Sequence, residues 1–205
     1  MIDLNIGQIN IRSLNCNIDL LRKEVVKNSL DIILLQETWL KNDSFNFKTK
    51  FHLETANRQD GYGGVAIAIK SSLIYERIQV MDISPIEILI IKVKIAATDV
   101  HILSLYIPPN VSNSIIEQKL NLLSISIYKF KNIIIGGDFN TSHRIWDSNC
   151  ATHSRKAEIL LDFINYNNLI IMNTGEPTNI HYKRLSAIDM TLISPTLTNY
   201  WDWVV

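Results

Sequence analysis

Cysteine is nearly absent from this chain: Cys16 and Cys150 are the only two among 205 residues. They lie far apart and in no metal-ligand spacing, which excludes a disulfide framework and a zinc ribbon and fits a reducing compartment. Net charge is absent as well, because 20 Lys+Arg balance 20 Asp+Glu. Binding driven by bulk positive charge is thereby excluded, and any nucleic-acid contact has to come from a local basic patch. Long hydrophobic runs are missing too. The apolar stretch 86–95 is interrupted by Lys92 and Lys94, so no segment is expected to span a membrane. The first ten residues carry Asp3 and alternate too regularly for a signal peptide. No linker rich in proline, glycine or serine divides the chain, no repeat is visible, and no G-x-G-x-x-G or Walker loop follows a strand. These absences describe a soluble intracellular protein.

What is present suits one packed domain over residues 1–205: 47% of residues are hydrophobic and 20% charged. Ile2, Leu4 and Ile6 alternate with polar residues as a half-buried strand does. Ile18, Leu21 and Val25 have the spacing of an amphipathic helix entered from Asn15 or Asn17. The run 31–35 reads as a buried strand, so strand, helix and strand form a crossover unit with parallel pairing. Beyond it, a turn over 60–64 joins strands at 51–55 and 64–70, and 86–95 pairs with 100–107 as an antiparallel hairpin through 96–99. A helix over 112–131, a strand over 132–135, a loop over 136–153 and a helix over 154–167 follow. Strands near 169–172, 178–182 and 188–193 come next, and 201–205 reads as a last strand. Mixed pairing interleaved with helices predicts an α/β sandwich rather than a single doubly wound sheet.

Polar residues collect at the ends of these apolar strands. Asn10 closes the first, Glu37 lies two residues beyond 32–35, and Tyr106 closes the strand before Pro108 and Pro109. Asp138 and Asn140 follow 133–135, and Asp189 opens the segment 188–193. Strand ends sharing one edge bring such groups together, and ligands of α/β folds bind there. Carboxylates with amides and a phenol form a hard-oxygen site suited to Mg²⁺, whose shell is completed by water and phosphate oxygens. Each residue alone has an ordinary explanation as a cap, turn or core ring. Together they point to a metal or phosphate site, without naming a reaction.

The motifs themselves are more specific. Gln8-Ile-Asn10, Leu35-Gln-Glu-Thr38, Leu105-Tyr-Ile-Pro-Pro109, Gly136-Gly-Asp-Phe-Asn140 and Ser186-Ala-Ile-Asp189 resemble, in order, those of the endonuclease/exonuclease/phosphatase superfamily. Gln36–Leu40, Gly61–Ile67 and Asp138–Trp146 resemble in particular the apurinic-type endonuclease domain of arthropod non-LTR retrotransposons of the jockey and R1 kind. The resemblance implies a four-layered α/β sandwich, two mixed sheets face to face with helices outside. It implies metal-assisted hydrolysis of a phosphodiester with Mg²⁺, or alternatively Mn²⁺. It also implies nicking of double-stranded chromosomal DNA to leave a 3′-hydroxyl. By position, Glu37 resembles the metal ligand and Asp138 the residue that activates the attacking water, with Asn140 orienting that water or the phosphate. Asn10 and Tyr106 resemble the groups that hold phosphate oxygens, and Asp189 the carboxylate that orients a catalytic histidine. Arg12, His143, Arg144 and Ser186 are the candidate phosphate or DNA contacts. A monomer is expected, nuclear if functional, with a reverse transcriptase domain downstream in a full-length element.

Two departures from the family pattern stand out. Many superfamily members carry a second acid where this chain has Arg12, which can hold a phosphate but not a metal. The family also closes on a Ser-Asp-His motif after a final Trp-containing strand, and the sequence ends at Val205 before it. The five histidines, His52, His101, His143, His153 and His181, do not occupy that place; for His143 a DNA-facing or solvated loop position is expected. The resulting expectation is a truncated or decayed mobile-element domain, or a fragment of a longer polyprotein, weak or inactive because general acid–base help is worth ~10²–10⁴-fold. Two other functions compete with DNA nicking: hydrolysis of a small phosphate ester, and DNA binding without catalysis. The second would use Arg12, Arg144, Arg155 and Lys156.

Overall fold

In a computed structural model of the chain, residues 4–41, 50–95, 97–181 and 184–205 are described. Two mixed sheets stack face to face. The first runs in the order β1-β2-β4-β3 and the second β5-β6-β7-β8-β12-β9, with a separate β10-β11 hairpin. In the first sheet, β1 (Ile6–Asn10) and β2 (Ile32–Gln36) are parallel across helix α1 (Leu14–Lys27), while β4 (Val65–Lys70) lies antiparallel between β2 and β3 (Phe51–Ala56). In the second, β5 (Tyr75–Ile78), β6 (Glu87–Ile95) and β7 (Thr98–Tyr106) form a meander. Helix α2 (Asn113–Ile127) then crosses over to parallel β8 (Ile133–Asp138). After α3 (Arg155–Tyr166), β9 (Ile170–Ile171), β10 (Asn179–His181) and β11 (Arg184–Ser186), strand β12 (Asp189–Ile193) returns antiparallel to β8. This is the predicted four-layered sandwich.

The period-2 geometry of strands explains the layers. Ile32 and Leu34 of β2 face the second sheet, where they meet Leu89, Ile91, Ile102 and Ile134. Their neighbours Ile33 and Leu35 face α1, against Leu14 and Leu21. On the far side, Leu103, Leu105, Ile133 and Ile135 pack on Leu120, Leu123, Leu160 and Phe163 of α2 and α3. The continuous apolar runs of β2 and β8 thus reflect burial on both faces. Where the sheets approach most closely, side chains shrink: a Cβ on Gly136 would lie 2.6 Å from Leu34 Cδ1. A fully buried polar bridge crosses the seam, with Gln36 Nε2 donating to Ser104 Oγ (3.0 Å) and Ser104 Oγ donating to the Leu35 carbonyl (3.1 Å).

Several elements differ from the sequence reading. Helix α1 is capped by Ser13, whose hydroxyl accepts from the Cys16 N–H, rather than by Asn15 or Asn17. Asn17 instead marks a kink inside the helix and donates to the carbonyls of Ile11 and Arg12. The hairpin turn is tighter than 96–99, because β7 begins at Thr98. Helix α2 stops at Ile127, short of 131, and β8 extends through Asp138, so the loop after it starts later than 136. The segment 201–205 is not a strand. It follows a 3-10 turn over Pro195–Tyr200 and is held by side chains: Trp201 packs on the inter-sheet core and Trp203 Nε1 donates to Thr191 Oγ1 (3.2 Å). The expected Ile2 strand position, the turn residue Ala96 and the strand residue Tyr182 lie outside the described residues. Among the described residues no helix is long and apolar enough to cross a membrane.

Candidate active site

The register of each sheet brings the strand-end residues to one edge. Asn10 pairs with Gln36, so Glu37 follows directly beside it. In the other sheet Asp138 pairs with Tyr106 on one side and Asp189 on the other. Stacking the sheets then closes a single cluster across the seam. Asn10 Nδ2 donates to Glu37 Oε1 (2.8 Å) and to Asp138 Oδ2 (2.9 Å), its two protons serving one carboxylate each. The Tyr106 hydroxyl donates to the same Glu37 Oε1 (3.0 Å). Asp138 Oδ1 accepts the Asn140 backbone N–H (2.8 Å), while Asn140 Nδ2 is tied back to the Ile107 carbonyl (3.2 Å). Asp189 stands alongside, accepting from Thr178 Oγ1 (2.8 Å) and Gln8 Nε2 (3.5 Å).

The backbone is bent to make this possible. Glu37 and Asn140 take φ of 52° and 47°, and Arg12, Ser13 and Trp39 beside them are also left-handed. Such a conformation costs a non-glycine residue roughly 1–2 kcal/mol, and it concentrates where β1, β2 and β8 end. Strain and polarity therefore coincide.

Three groups in the cluster titrate away from their ordinary values. Burial pushes Asp189 up to about 7, with the Asp138 charge adding to it and the Thr178 hydrogen bond and Arg12 charge opposing. Burial also raises Asp138, against the Asn10 and Asn140 N–H donors that favour its ionised form. Tyr106 is driven up by burial and by the Glu37 charge, so the phenol stays protonated and donates. Glu37 Oε2 has no hydrogen-bond partner among the described residues. A free carboxylate oxygen amid hard oxygen donors and an acidic neighbourhood fits a divalent cation of the Mg²⁺ type.

The remaining candidates are spread more widely. Arg12 is exposed on the rim, its backbone N–H donating to Asn10 Oδ1 (3.2 Å), and its charge reaches Asp189. Arg144 is exposed on the loop after Asn140. Ser186 closes β11, its carbonyl accepting the Thr178 N–H (3.0 Å), and it lines a cleft with Ser142, Asp147 and Asn179. The expectation of a DNA-facing or solvated His143 is corrected: it is 3% exposed and stacks on the buried Trp146 ring at 5.0 Å. His143 also meets the His153 ring at 4.2 Å, and Glu158 Oε1 lies 2.5 Å from His153 Nε2. The ligand atoms of His143, His153 and Glu158 fall within 4.8 Å of one another. However, His143 Nδ1 already accepts the Ile145 N–H (3.1 Å). Its proton therefore sits on Nε2, the atom a metal would need, and burial keeps the ring neutral. This trio is a packing cluster. Sequence reasoning also missed Gln8, which its i, i+2 relation to Asn10 on β1 would have revealed, and Thr178, which carries no local signal. It placed Lys156 among surface charges, whereas Lys156 is 8% exposed.

With two sheets, outer helices and this edge, the fold is that of the endonuclease/exonuclease/phosphatase class. The TRAS1 endonuclease domain, from a telomere-specific non-LTR retrotransposon, superposes with a TM-score of 0.77 at 19% identity over 96% of this chain and 88% of that one. An AP endonuclease from Archaeoglobus fulgidus gives 0.73 at 19% identity over 96% and 89% of the two chains. The 3′ phosphatase NExo from Neisseria, bound to product DNA hairpin, gives 0.72 at 17% identity over 95% and 88%. More narrowly, the chain belongs to the endonuclease-reverse transcriptase family, whose pattern matches residues 100–205. It is 23% identical over 186 residues to the probable RNA-directed DNA polymerase from transposon BS of Drosophila melanogaster. That match covers 84% of this chain but 20% of the relative, so the chain spans about a fifth of that protein's length.

Proposed function

We propose that the cluster hydrolyses a phosphodiester of double-stranded DNA with the help of a divalent cation, nicking one strand. The observation that carries this reading is the Asn10 amide, which bridges Glu37 and Asp138, two carboxylates far apart in sequence and borne by different sheets. Glu37 would hold Mg²⁺ or Mn²⁺, which supplies Lewis-acid stabilisation of charge on the phosphate. Asp138, fixed by the Asn140 N–H, accepts the proton of the attacking water as its oxygen bonds to phosphorus. The P–O3′ bond then breaks, and the leaving oxygen takes a solvent proton to become a 3′-hydroxyl. Asn10 and Tyr106, which donate to Glu37 and Asp138 here, would turn their N–H and O–H toward the phosphate oxygens once a cation neutralises Glu37, and Asn140 would offer its second amide proton there, where negative charge gathers. Asp189 sets the local field beside Asp138, and Arg12 and Arg144 on the rim attract the DNA backbone. Ser186 contacts the duplex further out. The chain acts as a monomer, within a longer protein that adds a reverse transcriptase, on nuclear DNA.

The test is nicking of supercoiled plasmid with Mg²⁺ or Mn²⁺, repeated on Glu37→Ala. Loss of about 10²–10³-fold in rate is expected, and cleavage indifferent to that change would remove the assignment. A second reading, duplex binding without turnover, is favoured by one observation: the side chains of His52, His101, His143 and His153 have their contacts outside the cluster. Binding that weakens steeply with salt but produces no nick selects it. Faster turnover of soluble phosphate esters than of duplex DNA would select a small-molecule phosphoesterase.

A further inference from the structure

Glu87 is an enclosed acid that the chemistry of the cluster leaves unused. It opens β6 and is the register partner of Tyr106, which pairs in turn with Asp138, and Asp138 with Asp189. Residues paired across strands share one face of a sheet. Glu87 is therefore the outermost member of the row from which the second sheet supplies the site. Its side chain is 9% exposed, and both carboxylate oxygens are engaged. Oε2 accepts the Gly64 backbone N–H (2.5 Å), and Oε1 accepts the Arg58 guanidinium (3.3 Å), which Asp60 holds from its other side.

The bond to Gly64 matters for what lies beyond it. Gly63 and Gly64, with φ of 79° and 85°, present their carbonyls to the segment that follows β2. The Thr38 N–H donates to the Gly64 carbonyl (3.1 Å) and the Trp39 N–H to the Gly63 carbonyl (2.9 Å). From the opposite side, the Ser13 and Leu14 N–H groups donate to the Glu37 and Thr38 carbonyls (2.9 Å each). The left-handed residues Glu37 and Trp39 are thus clamped between two loops, as a strained backbone requires if it is to persist. The fit is close: a Cβ on Gly63 would lie 2.5 Å from Glu87 Oε1, and one on Gly64 2.6 Å from Thr38 Oγ1. Strands β6 and β7 accordingly grip Glu37 twice, at its carboxylate through the Tyr106 hydroxyl and at its backbone through Glu87 and the glycine turn.

We propose that Glu87 is a positioning residue that latches the Gly63–Gly64 turn to the second sheet and so fixes the backbone that aims Glu37 across the seam. Its consequence for cation binding rests on the hydrolytic reading given above, while the latch itself does not. Amide hydrogen exchange in the metal-free chain reads the latch directly. Glu87→Met, which keeps the length but removes the acceptor oxygens, should speed exchange at Thr38 and Trp39 about tenfold and leave Leu34, in the middle of β2, at the wild-type rate. Glu87→Gln retains an acceptor oxygen and should restore protection. Titration with Mn²⁺, followed by paramagnetic broadening of the Glu37 amide signal, should show binding about tenfold weaker in Glu87→Met and near wild type in Glu87→Gln. Unchanged exchange at Thr38 and Trp39, no recovery in Glu87→Gln, or equal acceleration at Leu34, the mark of lost stability alone, would each overturn the proposal. Where Glu87→Met does not fold, Glu87→Asp, one methylene short of Gly64, takes its place; failure of both to fold would make the acid purely structural and overturn it as well. A wild-type chain that binds no Mn²⁺ removes the metal-dependent reading, yet leaves the exchange comparison decisive for Glu87.

Discussion

Asp189→Asn should make the protein more stable at alkaline pH, and the reason lies in where that carboxyl is held. Its side chain is enclosed between Thr178, Gln8 and the facing Asp138, and the Thr178 hydrogen bond and the rim guanidinium of Arg12 offset only part of the penalty. Below about pH 4 the carboxyl is protonated in folded and unfolded chains alike. Between there and about 7 the unfolded chain releases the proton while the folded chain retains it. The unfolded state then binds fewer protons, so stability falls as pH rises through this window, and above it the whole penalty is present. An ordinary value of 3.8 carried to about 7 corresponds to roughly 4 kcal/mol at ~1.4 kcal/mol per tenfold change. Sharing with Asp138 reduces the part that belongs to Asp189 alone, leaving about 2–4 kcal/mol. Asparagine keeps the shape and the Thr178 bond, and the Gln8 amide can reverse to match it. Urea unfolding in EDTA at pH 4.5 and pH 8 measures the difference. The wild type should lose stability between the two, and the variant should lose about 2–4 kcal/mol less. Equal losses, or a variant weaker than wild type at pH 8, would refute the account of a destabilised carboxylate.

Asn10→Ala leaves Glu37 and Asp138 without their shared donor and should cost about 1–3 kcal/mol in metal-free urea unfolding; Asn10→Asp, which adds a third acid, should cost more at pH 8 than at pH 5. Gly137→Ala drives a Cβ into the Leu105 carbonyl of the adjacent strand. Because backbone rather than a flexible side chain must yield, calorimetry should show a loss of about 1–3 kcal/mol.

Much of this architecture was legible because its core strands are buried on both faces. The apolar runs of β2 and β8 admit little other than strands, and polar residues placed directly after them had to fall at a sheet edge. Short edge strands were not legible. Tyr75–Ile78 carries Glu76 and Arg77 and pairs with β6 alone, so its composition is that of a solvated loop. Trp201–Val205 erred in the opposite direction, since its aromatic and β-branched residues suit a strand, yet Pro195 turns the chain and side-chain docking takes over. The ends of strands could be located from periodicity, but what stands behind them could not. Lys156 and His143 look like solvated loop charges in one dimension, and their burial follows only from α3 folding back over β8. Gln8 and Thr178 likewise become partners of Asp189 through tertiary packing alone.

The amide of Asn10 joins halves of the molecule that the chain builds separately. Residues upstream of the β6–β7 hairpin contribute Asn10 and Glu37, whereas Tyr106, Asp138, Asn140 and Asp189 come from the segment that carries the family pattern. Neither portion carries the cluster by itself. A one-residue slip in the pairing register of β8 would turn its side chains to the opposite face and part the two carboxylates, so the cluster would be lost while helices and strands still registered as intact.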